Sequence, residues 1–159
     1  PSDPYVFSGK IDYVGGDSFS RLQFASSEHL PISGGKVDQI RAAPGLTQIR
    51  YYVQESENQD WGYVLKRGDH PFPYDMDPDE PDPESDPVLC THLKALKFTF
   101  YDPDGEPFES WDSSDDGLGY ATPKSVEVSL TIATRQGEYL FSTRVFLPVF
   151  REALERVEE

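Results

Sequence analysis

Cysteine is nearly missing from this 159-residue chain: Cys90 stands alone, so no internal disulfide forms and no cysteine-based zinc set exists. Long apolar runs are missing too. No stretch reaches the roughly 18 residues that a bilayer-spanning helix needs. The polar, proline-broken start Pro1-Ser2-Asp3-Pro4 has none of the features of a secretory signal and reads as the interior of a longer natural protein. Basic residues are scarce, with 14 Lys and Arg against 29 Asp and Glu and a net charge of −15. Such a chain would be repelled by phosphate backbones and anionic lipid, which argues against a nucleic-acid binder and an electrostatic membrane binder. One cysteine suits several compartments, so the redox environment stays open. Nucleophile, zinc and nucleotide signatures are absent as well: there is no G-x-S-x-G, no H-E-x-x-H and no Walker glycine loop.

What is present suffices for a core. Apolar residues make up 36% and aromatics 13%, enough for one globular domain over 1–159 and too much for a disordered chain. The acidic excess is concentrated. Residues 75–87 hold seven carboxylates and four prolines, residues 102–116 hold seven more carboxylates, and neither window contains Lys or Arg. The remainder has 15 acids against 14 bases, so an electrically ordinary body carries two acidic loops. Prolines 78, 81, 83 and 87 exclude a helix or an inner strand in the first window, which is therefore expected to be a solvated loop. Its functional reading is a cation site or a docking surface for a basic partner.

Elsewhere the pattern is mostly β. Tyr5–Tyr13 and Ser18–Ala25 flank the Gly15-Gly16-Asp17 turn as a hairpin, and residues 26–36 read as loop. Leu46–Gln54 alternates, with Ile49, Tyr51 and Val53 opposed to Arg50 and Tyr52, and Trp61–Lys66 is the return strand of a second hairpin. Val88–Ala95 is ambiguous between helix and strand. Leu96, Phe98 and Phe100 then mark one face of a strand. Val126, Val128, Leu130 and Ile132 give another strand a core side and a water side. After the Arg135-Gln136-Gly137 turn, Glu138–Leu147 is apolar on both faces, which predicts a central strand that Pro148 stops. Phe150, Ala153, Leu154 and Val157 fall at helical spacing and predict a short helix over about 149–158.

Candidate chemistry is thin. His29, His70 and His92 are widely separated, and Cys90 beside His92 lacks the spacing of a catalytic pair. Asp102 and Asp104 in Asp102-Pro-Asp-Gly-Glu106, and Asp112 and Asp116 in Asp112-Ser-Ser-Asp-Asp-Gly117, are hard-oxygen clusters and the only calcium candidates. The second cluster matches the first half of an EF-hand loop. Its twelfth position is Pro123 in place of the bidentate glutamate, so the choice is between an irregular calcium site and an Asp/Gly-rich turn. Trp61, Trp111 and the tyrosines are either core or the lining of a sugar-binding face. No catalytic residue, resident cofactor or enzyme activity is expected.

The order of features carries a resemblance. Leu93–Gly105 ends in Asp102-Pro-Asp-Gly, Glu109-Ser-Trp111 follows, then Thr122-Pro-Lys-Ser-Val126-Glu-Val-Ser-Leu130, then Glu138–Pro148. This resembles the C-terminal half of the minor pseudopilin J family of the bacterial type II secretion system. Phe7-Ser-Gly9, Leu46–Val53 and Val64-Leu-Lys-Arg67 are similar to its upstream strands, so the likeness covers roughly 5–148. The acidic insert at 75–87 is longer than the family has there, and no metal site of the family can be matched residue by residue. The resemblance implies an α+β, predominantly antiparallel β fold: a pilin-like head with two antiparallel sheets and little helix. It also implies an N-terminal inner-membrane helix not included in this sequence, a periplasmic head, and partners among the I and K types of minor pseudopilin. Contact with secreted substrates or the secretin is implied as well. The alternatives are a minor pilin of a type IV pilus or competence system, and an extracellular β-rich carbohydrate- or calcium-binding module.

Overall fold

The Gly15-Gly16 turn joins β1 (Ser8–Val14) to β2 (Asp17–Ser26), and both glycines take a positive φ that the tight reversal requires. This is the first hairpin of a computed structural model that describes residues 5–27, 45–57, 62–71 and 84–154. A second hairpin pairs β3 (Thr47–Glu55) with β4 (Tyr63–Pro71). The long β5 (Val88–Tyr101), the two-residue β6 (Pro107–Phe108) and β7 (Trp111–Asp112), and the final pair β8 (Ser125–Thr134) and β9 (Gly137–Phe146) complete the set. All belong to one antiparallel sheet in the order β7-β1-β2-β3-β4-β5-β8-β9, with β6 pairing on β5.

Two expectations of the pilin-like reading fail. Strands hold 62% of the described residues, and helix is confined to one 3-10 turn at Asp116–Leu118. There is one curled half-barrel sheet where an α+β head with two sheets was expected. The reason lies in the 102–124 connection. Its two short strands add to β5 and β1, so they extend the existing sheet and start no second layer. Strong curling then lets a single sheet bury its own inner face.

The closure is aromatic. Phe100 is 0% exposed, meets the Phe7 ring edge-on at 5.9 Å, and lies directly over the Gly9 backbone. A Cβ on Gly9 would sit 1.9 Å from Phe100 Cζ, so only glycine lets β1 approach β5 this closely. Phe19, Leu22, Val53, Leu65, Leu93, Leu96, Phe98 and Val126 fill the same interior. Trp111 is buried there as core, donating its indole N–H to the Ala121 carbonyl at 2.9 Å; Trp61 lies outside the described residues.

The segment 88–95 resolves as strand, with register irregularities against β4 around His92, whose φ is 57°, and against β8 at Lys94. The expected C-terminal helix is not formed over 149–154, and 155–158 lie outside the described residues. Its backbone bonds to the 119–122 turn instead. The Thr122 N–H donates to the Arg151 carbonyl at 3.0 Å, and the Leu154 N–H donates to the Gly119 carbonyl at 2.9 Å. The Arg151 N–H donates to Thr122 Oγ1 at 2.7 Å. Groups committed to those partners cannot close helical turns.

Candidate functional site

The calcium candidates shape turns. Asp102 accepts the Glu106 N–H at 2.8 Å on Oδ1, and its carbonyl accepts the Gly105 N–H at 3.2 Å. Asp104 is exposed at the tip of that turn. Asp112 Oδ1 accepts from the Ser114 N–H at 2.9 Å and from Ser114 Oγ at 2.6 Å, an Asx turn. Asp116 opens the 3-10 turn that Asp115 caps through Gly117 N–H. Among the described residues, no three His, Cys, Asp or Glu side chains converge as a metal-holding group. The segment with EF-hand-like spacing forms an Asx turn followed by a capped 3-10 turn.

Cys90 and His92 both bond to the residue between them. Cys90 Sγ donates to the Thr91 carbonyl at 3.4 Å, while His92 Nδ1 bonds Thr91 Oγ1 at 3.0 Å. Burial pushes the Cys90 thiol up from its ordinary pKa. A smaller thiolate fraction at a given pH makes it a slow nucleophile. Iodoacetamide should therefore alkylate Cys90 more slowly than free cysteine at neutral pH, with the midpoint of the rate profile displaced to higher pH. A midpoint below that of free cysteine would contradict this assignment. His70 lies on the outer face of β4, and His29 is outside the described residues.

The acidic window 75–87 is described only from Glu84 onward, and its end is pinned. Tyr52 donates to Asp86 Oδ2 at 2.8 Å, and the Arg67 N–H donates to the Pro87 carbonyl at 3.2 Å. This segment crosses the outer face at Gly68, where an added Cβ would meet Asp86 Oδ2 at 2.7 Å. Arg50, on the face opposite Ile49, Tyr51 and Val53, is 1% exposed and donates from Nε to Gln23 Oε1 at 3.3 Å. The alternation of β3 is real, but both of its faces are covered.

On the inner face, Arg67 forms a two-pronged pair with Asp69, Nε to Oδ1 at 2.6 Å and Nη2 to Oδ2 at 2.9 Å. Its Nη1 also donates to Tyr51 Oη at 3.2 Å. Burial alone would lower the guanidinium pKa, but these bonds outweigh it and hold the group above its ordinary value.

The surface that stands out is the β8–β9 end. Opposed residues across the ladders share a face, so Leu93, Leu96, Phe98 and Phe100 of β5 continue into Val126, Val128, Leu130 and Ile132 of β8. From there the same face runs into Tyr139, Phe141 and Val145 of β9. Burial fades along that series. The β5 members are buried, the β8 members are half-buried beyond Val126, and every residue of β9 is exposed. Leu140 at 71% and Phe146 at 63% add apolar surface on the outer face. The sequence pattern predicts a central strand over 138–147, whereas among the described residues β9 has only β8 beside it and forms an edge. Edge strands are ordinarily protected by charge, proline or shortness; this one is long, and its charges Glu138 and Arg144 lie on the outer face only, leaving the inner face apolar. The signal was in the sequence, but double-sided hydrophobicity was equated with an interior position. Compared with models of known protein families, with curated proteins and with solved structures, the chain finds no match.

Proposed function

We propose that this domain works by binding other proteins, as a structural component of the type II secretion pseudopilus in the role of a J-type minor pseudopilin. The observation that supports a binding role is the apolar inner face that passes from buried on β5 to bare on β9, where Tyr139, Phe141 and Val145 stand in solvent. A face of that kind loses water-exposed apolar area only when another element covers it. The C-terminal part of the family resemblance, Leu93 to Pro148, covers most of β5, all of β6 to β9 and the connections between them. In this reading the domain is a periplasmic head of an inner-membrane protein. No helix among the described residues is long and apolar enough to cross a membrane. Its partners are the I and K minor pseudopilins at the pseudopilus tip.

The test is binding of this chain to soluble I- and K-type minor pseudopilins, measured by calorimetry. Association with at least one is expected. Tyr139→Asp with Val145→Asp should weaken it about thirtyfold or more, the loss typical of a contact centre. Failure to bind either partner, or affinity indifferent to the paired substitution, refutes the reading.

A further inference from the structure

We infer that the bare edge of β9 pairs with β9 of a second copy of this chain, antiparallel, about a two-fold axis through Phe141. This contact runs along the backbone edge of β9, whereas the binding described above covers the inner face of the sheet. The argument begins with the mismatch between the composition of β9 and its place. Gly137–Phe146 is a ten-residue strand with an apolar inner face and with Leu140 and Phe146 on the outer face, yet among the described residues it has a single neighbouring strand and an edge that pairs with no other.

A two-fold axis perpendicular to the sheet keeps each face on its own side, so paired positions must share a face and the axis must pass through a residue. Placing it at Phe141 sets Phe141 against its copy, Tyr139 against Thr143, and Glu138 against Arg144. The last pairing occurs twice, once on each side of the axis. Axes through Leu140 or Ser142 leave both charges opposite uncharged residues, and axes through Glu138 or Arg144 oppose like charges. Only Phe141 pairs the two charges of β9, and it keeps Gly137 to Val145 of each copy in the ladder.

Both charges lie on the outer face, alternating with inner-face Tyr139 and Phe141, and in the single chain each has a partner toward β8 and β5 that the contact across the axis must share or replace. Arg144 stacks 3.6 Å over the Tyr101 ring and donates to Ser125 Oγ at 2.8 Å, and Glu138 pairs with Lys94. Repulsion between two acidic copies is moderated because the excess sits in residues 75–87 and 102–116, outside β9, and physiological salt screens it over about 8 Å.

Sedimentation equilibrium of the chain across a concentration series at physiological salt tests this. A monomer–dimer equilibrium is expected. Arg144→Glu and Glu138→Arg should each weaken it about tenfold, since each opposes like charges twice, and the double exchange should recover it to within about threefold. Glu138→Lys, with the fold checked by far-ultraviolet circular dichroism, repeats the single test without touching the Arg144 stack. A chain that stays monomeric throughout, or a double exchange as weak as its singles combined, overturns the inference.

Discussion

Gly9→Ala is expected to destabilise the fold by about 3 kcal/mol, the upper end of overpacking penalties. The added methyl would sit 1.9 Å from Phe100 Cζ and 2.4 Å from Cε2, well inside contact distance. The ring cannot swing aside, because Phe100 is fully buried and meets Phe7 edge-on. Urea unfolding followed by fluorescence measures the loss, with Trp111 as a buried reporter. A second variant separates this clash from a general intolerance of substitution in β1. Phe100→Leu removes the ring atoms that the methyl meets, so Gly9→Ala with Phe100→Leu should be more stable than the two singles added together. Strict additivity would mean that the close approach of β1 to β5 does not hold the curl.

Asp69→Ala should cost about 3–5 kcal/mol by the same measurement, because it leaves the Arg67 guanidinium buried with only the Tyr51 hydroxyl. Replacing both members, Arg67→Met with Asp69→Leu, should recover most of that loss, since an apolar pair carries no desolvation penalty. A single substitution that costs less than about 1 kcal/mol would show that the pair is solvated like a surface bridge.

These two effects differ in how far the sequence announces them. Gly9 is visible as an irregularity in a strand pattern, but nothing local says that a ring 91 positions later will lie on it. The hairpins β1–β2 and β8–β9 were legible because alternation and glycine turns are local signals. Arg67 and Asp69 stand two apart on one strand, and that spacing puts them on one face without saying that the face is interior. The 149–154 segment was misread for the opposite reason. Helical spacing was present, but its amides bond Gly119 and Thr122 in a distant loop, a tertiary effect that overrides a weak local preference. The single sheet was likewise hidden in the 102–124 connection, whose paired stretches are only two residues long. The β9 surface lies between these cases: its hydrophobicity was read correctly and its neighbour was assumed.

That surface carries the account, and hydroxyl-radical footprinting of Tyr139 and Val145 tests it most directly. In the chain alone both side chains should oxidise readily, as their exposures of 46% and 50% require. With I- and K-type minor pseudopilins present, both should become protected while exposed Tyr13, at the β1–β2 hairpin, stays reactive. A complex that forms and leaves Tyr139 and Val145 as reactive as before would contradict the claim that this inner face is where other proteins bind.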